Sequence, residues 1–258
     1  MDALTIAPPL LGALILLAFV ASYIQSLVGF AMGMMLMAVA GGLDWLPIAT
    51  LAATISLLSL VNCSIALRRH WRHIDLRLFG LLSAGQVPAI AVGVWLLGTL
   101  TLGAVVLLKL LLGLFIALGS LILMLRPRTL AAVSSAPVCV GVGVLGGLVG
   151  GMFAASGPVI GWFNYRQPLP FAAVRATLLA CFGLTTATRT LVVTSSGGMD
   201  REILTLFVLL LPVVALGSWL GDKYPPPLAE TALKRGAFGL LFLMGVWICI
   251  DALARASG

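Results

Sequence analysis

Apolar residues run along the chain in eight long stretches, at about 10–42, 46–67, 78–97, 104–125, 137–163, 171–194, 203–221 and 232–253. Each reaches or exceeds the roughly 18 residues expected of a membrane span, so the pattern predicts eight apolar helical segments. Turn chemistry separates them. Gly41-Gly42 with Asp44 and Pro47 closes the first, and Arg126-Pro127-Arg128 closes the fourth. Gln167-Pro168 and Pro170 part the fifth from the sixth, Gly197-Gly198 ends the sixth, and Pro225-Pro226-Pro227 precedes the eighth.

The first and fifth stretches are longer than one straight crossing needs. Residues 10–42 as a single helix would extend about 50 Å, and 137–163 about 40 Å, against a hydrocarbon core of roughly 30 Å. Both carry glycine in the middle: Gly29 and Gly33 in one, Gly141 through Gly151 and Gly157-Pro158 in the other. Each is read either as a long, tilted, broken helix or as a re-entrant hairpin that dips in and returns.

These two stretches open two halves that resemble one another. Leu46-Pro47-Ile48-Ala49 with Ala53-Thr54 recurs as Leu169-Pro170-Phe171-Ala172 with Ala176-Thr177. Pro88, Gly93, Trp95 and Leu96 recur as Pro212, Gly217, Trp219 and Leu220, and Asp75 recurs as Asp200. Leu27-Val28-Gly29 returns as Leu148-Val149-Gly150, and Lys109, Gly113 and Gly119 return as Arg235, Gly239 and Gly245. The expected organisation is one integral membrane domain of two four-segment repeats, 1–128 and 129–258. Such duplication in an apolar chain marks a transporter with its site between the halves.

Composition agrees. The chain is 61% hydrophobic and 9% charged, too little charge for a soluble domain of 258 residues. Asp2 and the lack of an early basic residue do not suit a removable signal peptide. Cys63, Cys139, Cys181 and Cys249 lie in separate segments without Cys-x-x-Cys spacing, so they read as packing residues. His70 and His73, with no carboxylate or thiol partner, make a weak ligand set; no metal or cofactor is expected. The basic run from Arg68 to Arg72 reads as a cytoplasmic anchor touching anionic lipid, not as a nucleic-acid patch.

Loop charge bears on topology. With inverted halves, Arg68, Arg69, Arg72, Arg77, Arg126, Arg128, Arg166, Lys223, Lys234 and Arg235 share one side, and only Arg201 and Arg255 lie opposite. Parallel halves would move Arg166, Lys223, Lys234 and Arg235 to the other side and bring Arg201 and Arg255 to the first, eight against four in place of ten against two. The positive-inside tendency favours inversion, with the parallel arrangement left open.

The candidate chemistry is cationic. All eight acids sit at segment ends or in loops, whereas Arg175 and Arg189 lie within the sixth segment. A cation at a helix centre costs at least ~2.5 kcal/mol and commonly marks an ion or substrate path. The two are about 21 Å apart on one helical face, with Phe182 and Thr186 between them. Such a stripe suits an anion moving along it; the alternative is that both arginines snorkel to opposite interfaces. Thr54 and Thr177 stand out as repeat mates. Gln25 and Gly29 lie in the first glycine-bearing stretch, and Gly150 lies in the second. At Ser156-Gly157-Pro158, helix amides freed at a break can hold an oxyanion.

Gly146-Gly147-Leu148-Val149-Gly150-Gly151, then Gly157-Pro158, then Arg175-Ala176-Thr177 resemble the glycine-rich stretch, Gly-Pro step and Arg-Ala-Thr element of the TauE/SafE sulfite-exporter family. Gln25-Ser26-Leu27-Val28-Gly29-Phe30-Ala31-Met32-Gly33 resembles the counterpart motif. The resemblance implies an all-α, multi-pass protein of the bacterial inner membrane that exports sulfite or a small organosulfonate. Arg175, Thr177 and Gly157 are its implied site residues. A channel-like anion pore, a membrane-embedded enzyme and a purely structural subunit are the alternatives, and a homodimer is left open.

Overall fold

The computed structural model describes residues 7–28, 32–68, 71–124, 129–224 and 230–257, and among these it is helical throughout, without a strand. The helices are α1 (Pro8–Val28), α2 (Met32–Leu36, running on as a π turn over Met37–Gly41), α3 (Ile48–Leu67), α4 (Leu76–Gly103), α5 (Val105–Met124), α6 (Ala136–Phe153), α7 (Gly157–Arg166), α8 (Phe171–Ser195), α9 (Arg201–Lys223) and α10 (Glu230–Ser257). Eight of them, all but α2 and α7, are long and apolar enough to cross a membrane. The fold is an all-α, polytopic one.

Helix starts follow local chemistry. Asp75 Oδ1 accepts the Leu78 amide and Asp200 Oδ1 the Ile203 amide, both at 2.8 Å, so matching aspartates cap α4 and α9. Pro47 and Pro170 precede α3 and α8. Proline lacks an amide hydrogen, which makes it well placed at a helix start and poor within one.

The fifth apolar stretch is a hairpin rather than one broken helix. α6 ends at Ala154, whose φ of 53° turns the chain, and α7 runs back. Ile160 lies against Gly146. The Leu130 amide then donates to the Arg166 carbonyl at 2.8 Å, and the Ser134 amide to Gln167 Oε1 at 3.0 Å. The chain has returned to the level at which it set out.

Helix directions extend this to the first stretch. Leu82 lies against Gly143, Gln86 against Gly147 and Ile90 against Gly151, so α4 and α6 run parallel. Ser22 and Ser26 lie against Gly217 and Gly221, so α1 and α9 are parallel too. α3 opposes α8, since Ser56 meets Arg189 while Cys63 lies beside Gly183. α9 also opposes α8 across a short connection, so α1 and α3 point the same way and α2 between them must return. Its start meets Gln25, where the Met32 amide donates to Oε1 at 3.0 Å. α5 opposes α10, with Leu110 beside Cys249 and Ala117 beside Gly245.

The elements that the sequence repeat matches thus lie antiparallel (α3 with α8, α5 with α10), which is compatible with inverted halves. Side-chain charge divides accordingly. Arg68, Arg72, Arg77, Arg166, Arg175 and Lys223 gather at one end, called here the basic end. Arg166 lies over Trp162 at 4.6 Å and Lys223 over Trp219 at 4.9 Å, the aromatic-cation pairing of a membrane interface. At the far end, Asp44 pairs with buried Lys109 and, at 3.2 Å, with Arg255.

Candidate anion site

The two hairpin tips meet. A Cβ on Gly33, at the start of α2, would stand 2.7 Å from the Ala154 carbonyl oxygen, so only glycine permits this approach. Around the junction lies a small cavity of about 30 Å³ lined by Gln25, Gly33, Ser59, Cys63, Ala154, Ala155, Ser156, Gly157, Phe182, Thr185 and Thr186. That is room for about two waters.

α7 begins in this cavity. The Ile160 amide bonds the Ser156 carbonyl at 3.0 Å and Pro158 has no N–H, leaving the Gly157 and Val159 amides as the donors at the helix start. The positive end of α7's dipole therefore faces the cavity. Thr186 donates its hydroxyl hydrogen to the Phe182 carbonyl at 2.9 Å. Thr185 donates to the Cys181 carbonyl and accepts from buried Gln86 Nε2 at 2.9 Å. At Gly150, a Cβ would stand 2.7 Å from Thr185 Cγ2 and 3.2 Å from Ser156 Cβ, so a bare backbone keeps the wall open.

A second cavity, of about 600 Å³, adjoins the first and reaches toward the basic end between α1, α3, α8 and α9. Gln25 and Cys63 wall both cavities. Arg68 and Arg175 supply its charge, and Ser26, Asn62 and Ser218 add polar groups to a mostly apolar lining. Among the described residues, no aspartate or glutamate lines either cavity. The wide chamber can receive an anion, and the narrow one holds donors for it at its centre.

The residues singled out in the sequence divide into three groups. Gln25, Ser156, Gly157 and Thr186 line the central cavity, with Gly150 just behind; Arg175, half-buried, lines the vestibule. Thr177 and Thr54 line neither. Thr177 Oγ1 accepts the Asp75 amide at 2.9 Å and so anchors the start of α4, while Thr54 donates to the Thr50 carbonyl at 3.0 Å. Arg189 is 1% exposed and also lines neither; Nε donates to the Gly151 carbonyl at 2.8 Å and Nη1 to Ser56 Oγ at 3.0 Å. Gly29 lies outside the described residues. Cys63 and Ser59, four apart on one face of α3, border the site with no charge or motif to mark them.

Two hairpins meeting at a central cavity, fed by a basic vestibule inside a polytopic helical protein, define a membrane transporter. The family model for the sulfite exporter TauE/SafE matches residues 14–248, and the chain belongs to that family. A protein of Cupriavidus necator named as a sulfite/organosulfonate exporter, TauE, is 37% identical over 246 residues, covering 95% of this chain and 96% of that one. No solved structure matches. The chain is accordingly a multi-pass protein of the bacterial inner membrane.

Proposed function

We propose that the chain exports a small sulfur oxyanion, sulfite or an organosulfonate, and is not an enzyme. The supporting observation is a vestibule bearing Arg68 and Arg175 and, among the described residues, no acid, leading to a cavity into which α7 points its amide end. The family and the substrate named for the Cupriavidus necator relative favour this anion class.

On this reading the basic end is cytoplasmic, as the positive-inside tendency requires, and the vestibule is the inward-facing chamber. Arg175 and Arg68 concentrate the anion. Ser156, Gln25 and the Gly157 amide receive it once the cavity widens. The repeats 1–128 and 129–258, inverted about that cavity, then exchange inward for outward access. Among the described residues no carboxylate lines the path, and on this reading the anion leaves down the membrane potential, worth about 2.3 kcal/mol per charge per 100 mV.

The test is thermal stabilisation of the detergent-solubilised protein by sulfite, sulfoacetate, taurine, thiosulfate and sulfate, with chloride as control. One or more sulfur anions should raise Tm, and Arg175→Ala should abolish the shift. Stabilisation only by a cation or a neutral solute would overturn the anion assignment.

A further inference from the structure

A fully buried arginine, with no acidic partner among the described residues, stands immediately beyond the central cavity, on the side away from the vestibule. Thr185 and Thr186 line that cavity, and Arg189 is one turn further along α8 toward the far end. Its guanidinium joins three helices. Nε holds the Gly151 carbonyl, near the tip of the α6–α7 hairpin, and Nη1 holds Ser56 Oγ on α3. Ser56 in turn donates to the Ala52 carbonyl at 2.8 Å. Further still toward the far end, Ala53, Val193 and Ile203 form a small apolar cluster separate from the main core.

We infer that Arg189 is the latch that closes the far side of the pathway, and that an anion in the central cavity releases it. This rests on the anion-export reading above. Both of the latch's partners are neutral, and the carbonyl lies in the last turn of α6, where the helix dipole is negative. These contacts hold a desolvated cation without cancelling its charge. An oxyanion arriving one turn away competes for the guanidinium with a full negative charge and two oxygens that can take both prongs of its fork, an ion-pair attraction that the neutral carbonyl and hydroxyl do not supply. When Arg189 turns to the anion, Gly151 and Ser56 come free, α3 parts from the hairpin tip, and the Ala53–Val193–Ile203 plug is next to open. The seal therefore breaks when substrate is present and re-forms when it has left.

The test places a reporter in the plug. Val193→Cys is combined with otherwise intact protein, and its modification by a bulky charged methanethiosulfonate is measured in detergent against the protein lacking the added cysteine. Sulfoacetate, which does not attack the thiosulfonate or the mixed disulfide as sulfite would, should accelerate modification. Ser56→Ala, which removes one leg of the latch, should raise the rate without added anion about tenfold, as losing a hydrogen bond to a charged group implies. Arg189→Lys, which keeps charge but cannot span both partners, should do the same. Unchanged modification in both variants would overturn the latch, even with sulfite still binding. Raised modification in both, in a protein that no sulfur anion stabilises, would leave the latch standing and remove the assigned substrate.

Discussion

Gln25 accepts the Met32 amide through Oε1 at 3.0 Å, so a side chain that walls both cavities also ties together the two legs of the first hairpin. Gln25→Glu keeps that acceptor and adds a negative charge. The expected result is a protein that folds, with sulfite affinity lowered tenfold or more, about 1.4 kcal/mol. Isothermal titration alongside a melting curve checks it.

Gly150 permits a close approach that no other residue would. Gly150→Ala would place a methyl 2.7 Å from Thr185 Cγ2 and 3.2 Å from Ser156 Cβ. Overpacking of this kind costs about 1–3 kcal/mol, and here it also narrows the central cavity. Tm should fall and transport into proteoliposomes should slow more than vestibule binding weakens.

Thr177 and Thr186 separate stability from binding. Thr177→Val removes the acceptor for the Asp75 amide at the start of α4 and should cost about 1 kcal/mol in stability, with anion affinity little changed. Thr186→Val, in the cavity wall, should do the reverse. Paired melting and binding curves on the two variants decide it.

Arg68 lies at the mouth of the vestibule and Arg175 deeper in it. Arg68→Ala should slow anion association and flatten its dependence on ionic strength, because exposed charges act over a Debye length of about 8 Å at physiological salt. Stopped-flow association across a salt series reads the effect.

The helices were legible because each apolar stretch is long and ends in proline, glycine or charge. Whether the first and fifth stretches were broken spans or hairpins was not. That turns on Arg166 meeting Leu130 and Gln167 meeting Ser134, contacts between residues that nothing in local periodicity pairs. The site was legible in part for a similar reason. Ser156-Gly157 announces a helix start facing an opening, and Arg175 announces charge inside an apolar run. A threonine hydroxyl carries no such mark: Thr177 is occupied by an amide 102 positions away, Thr54 by its own helix. Cys63, read as packing, borders both cavities because of where α3 lies against α8.

The parallel pairs, α4 with α6 and α1 with α9, carry a consequence for biogenesis. The serines of α1 that lie against Gly217 and Gly221 are made some 195 residues ahead of those partners. During synthesis α1 must wait in the bilayer, its Ser22 and Ser26 face bare, until the ribosome has completed α9. Neither half can then mature alone. Fragments 1–128 and 129–258 produced separately should be degraded, and the same two produced together should assemble into a protein that melts as one.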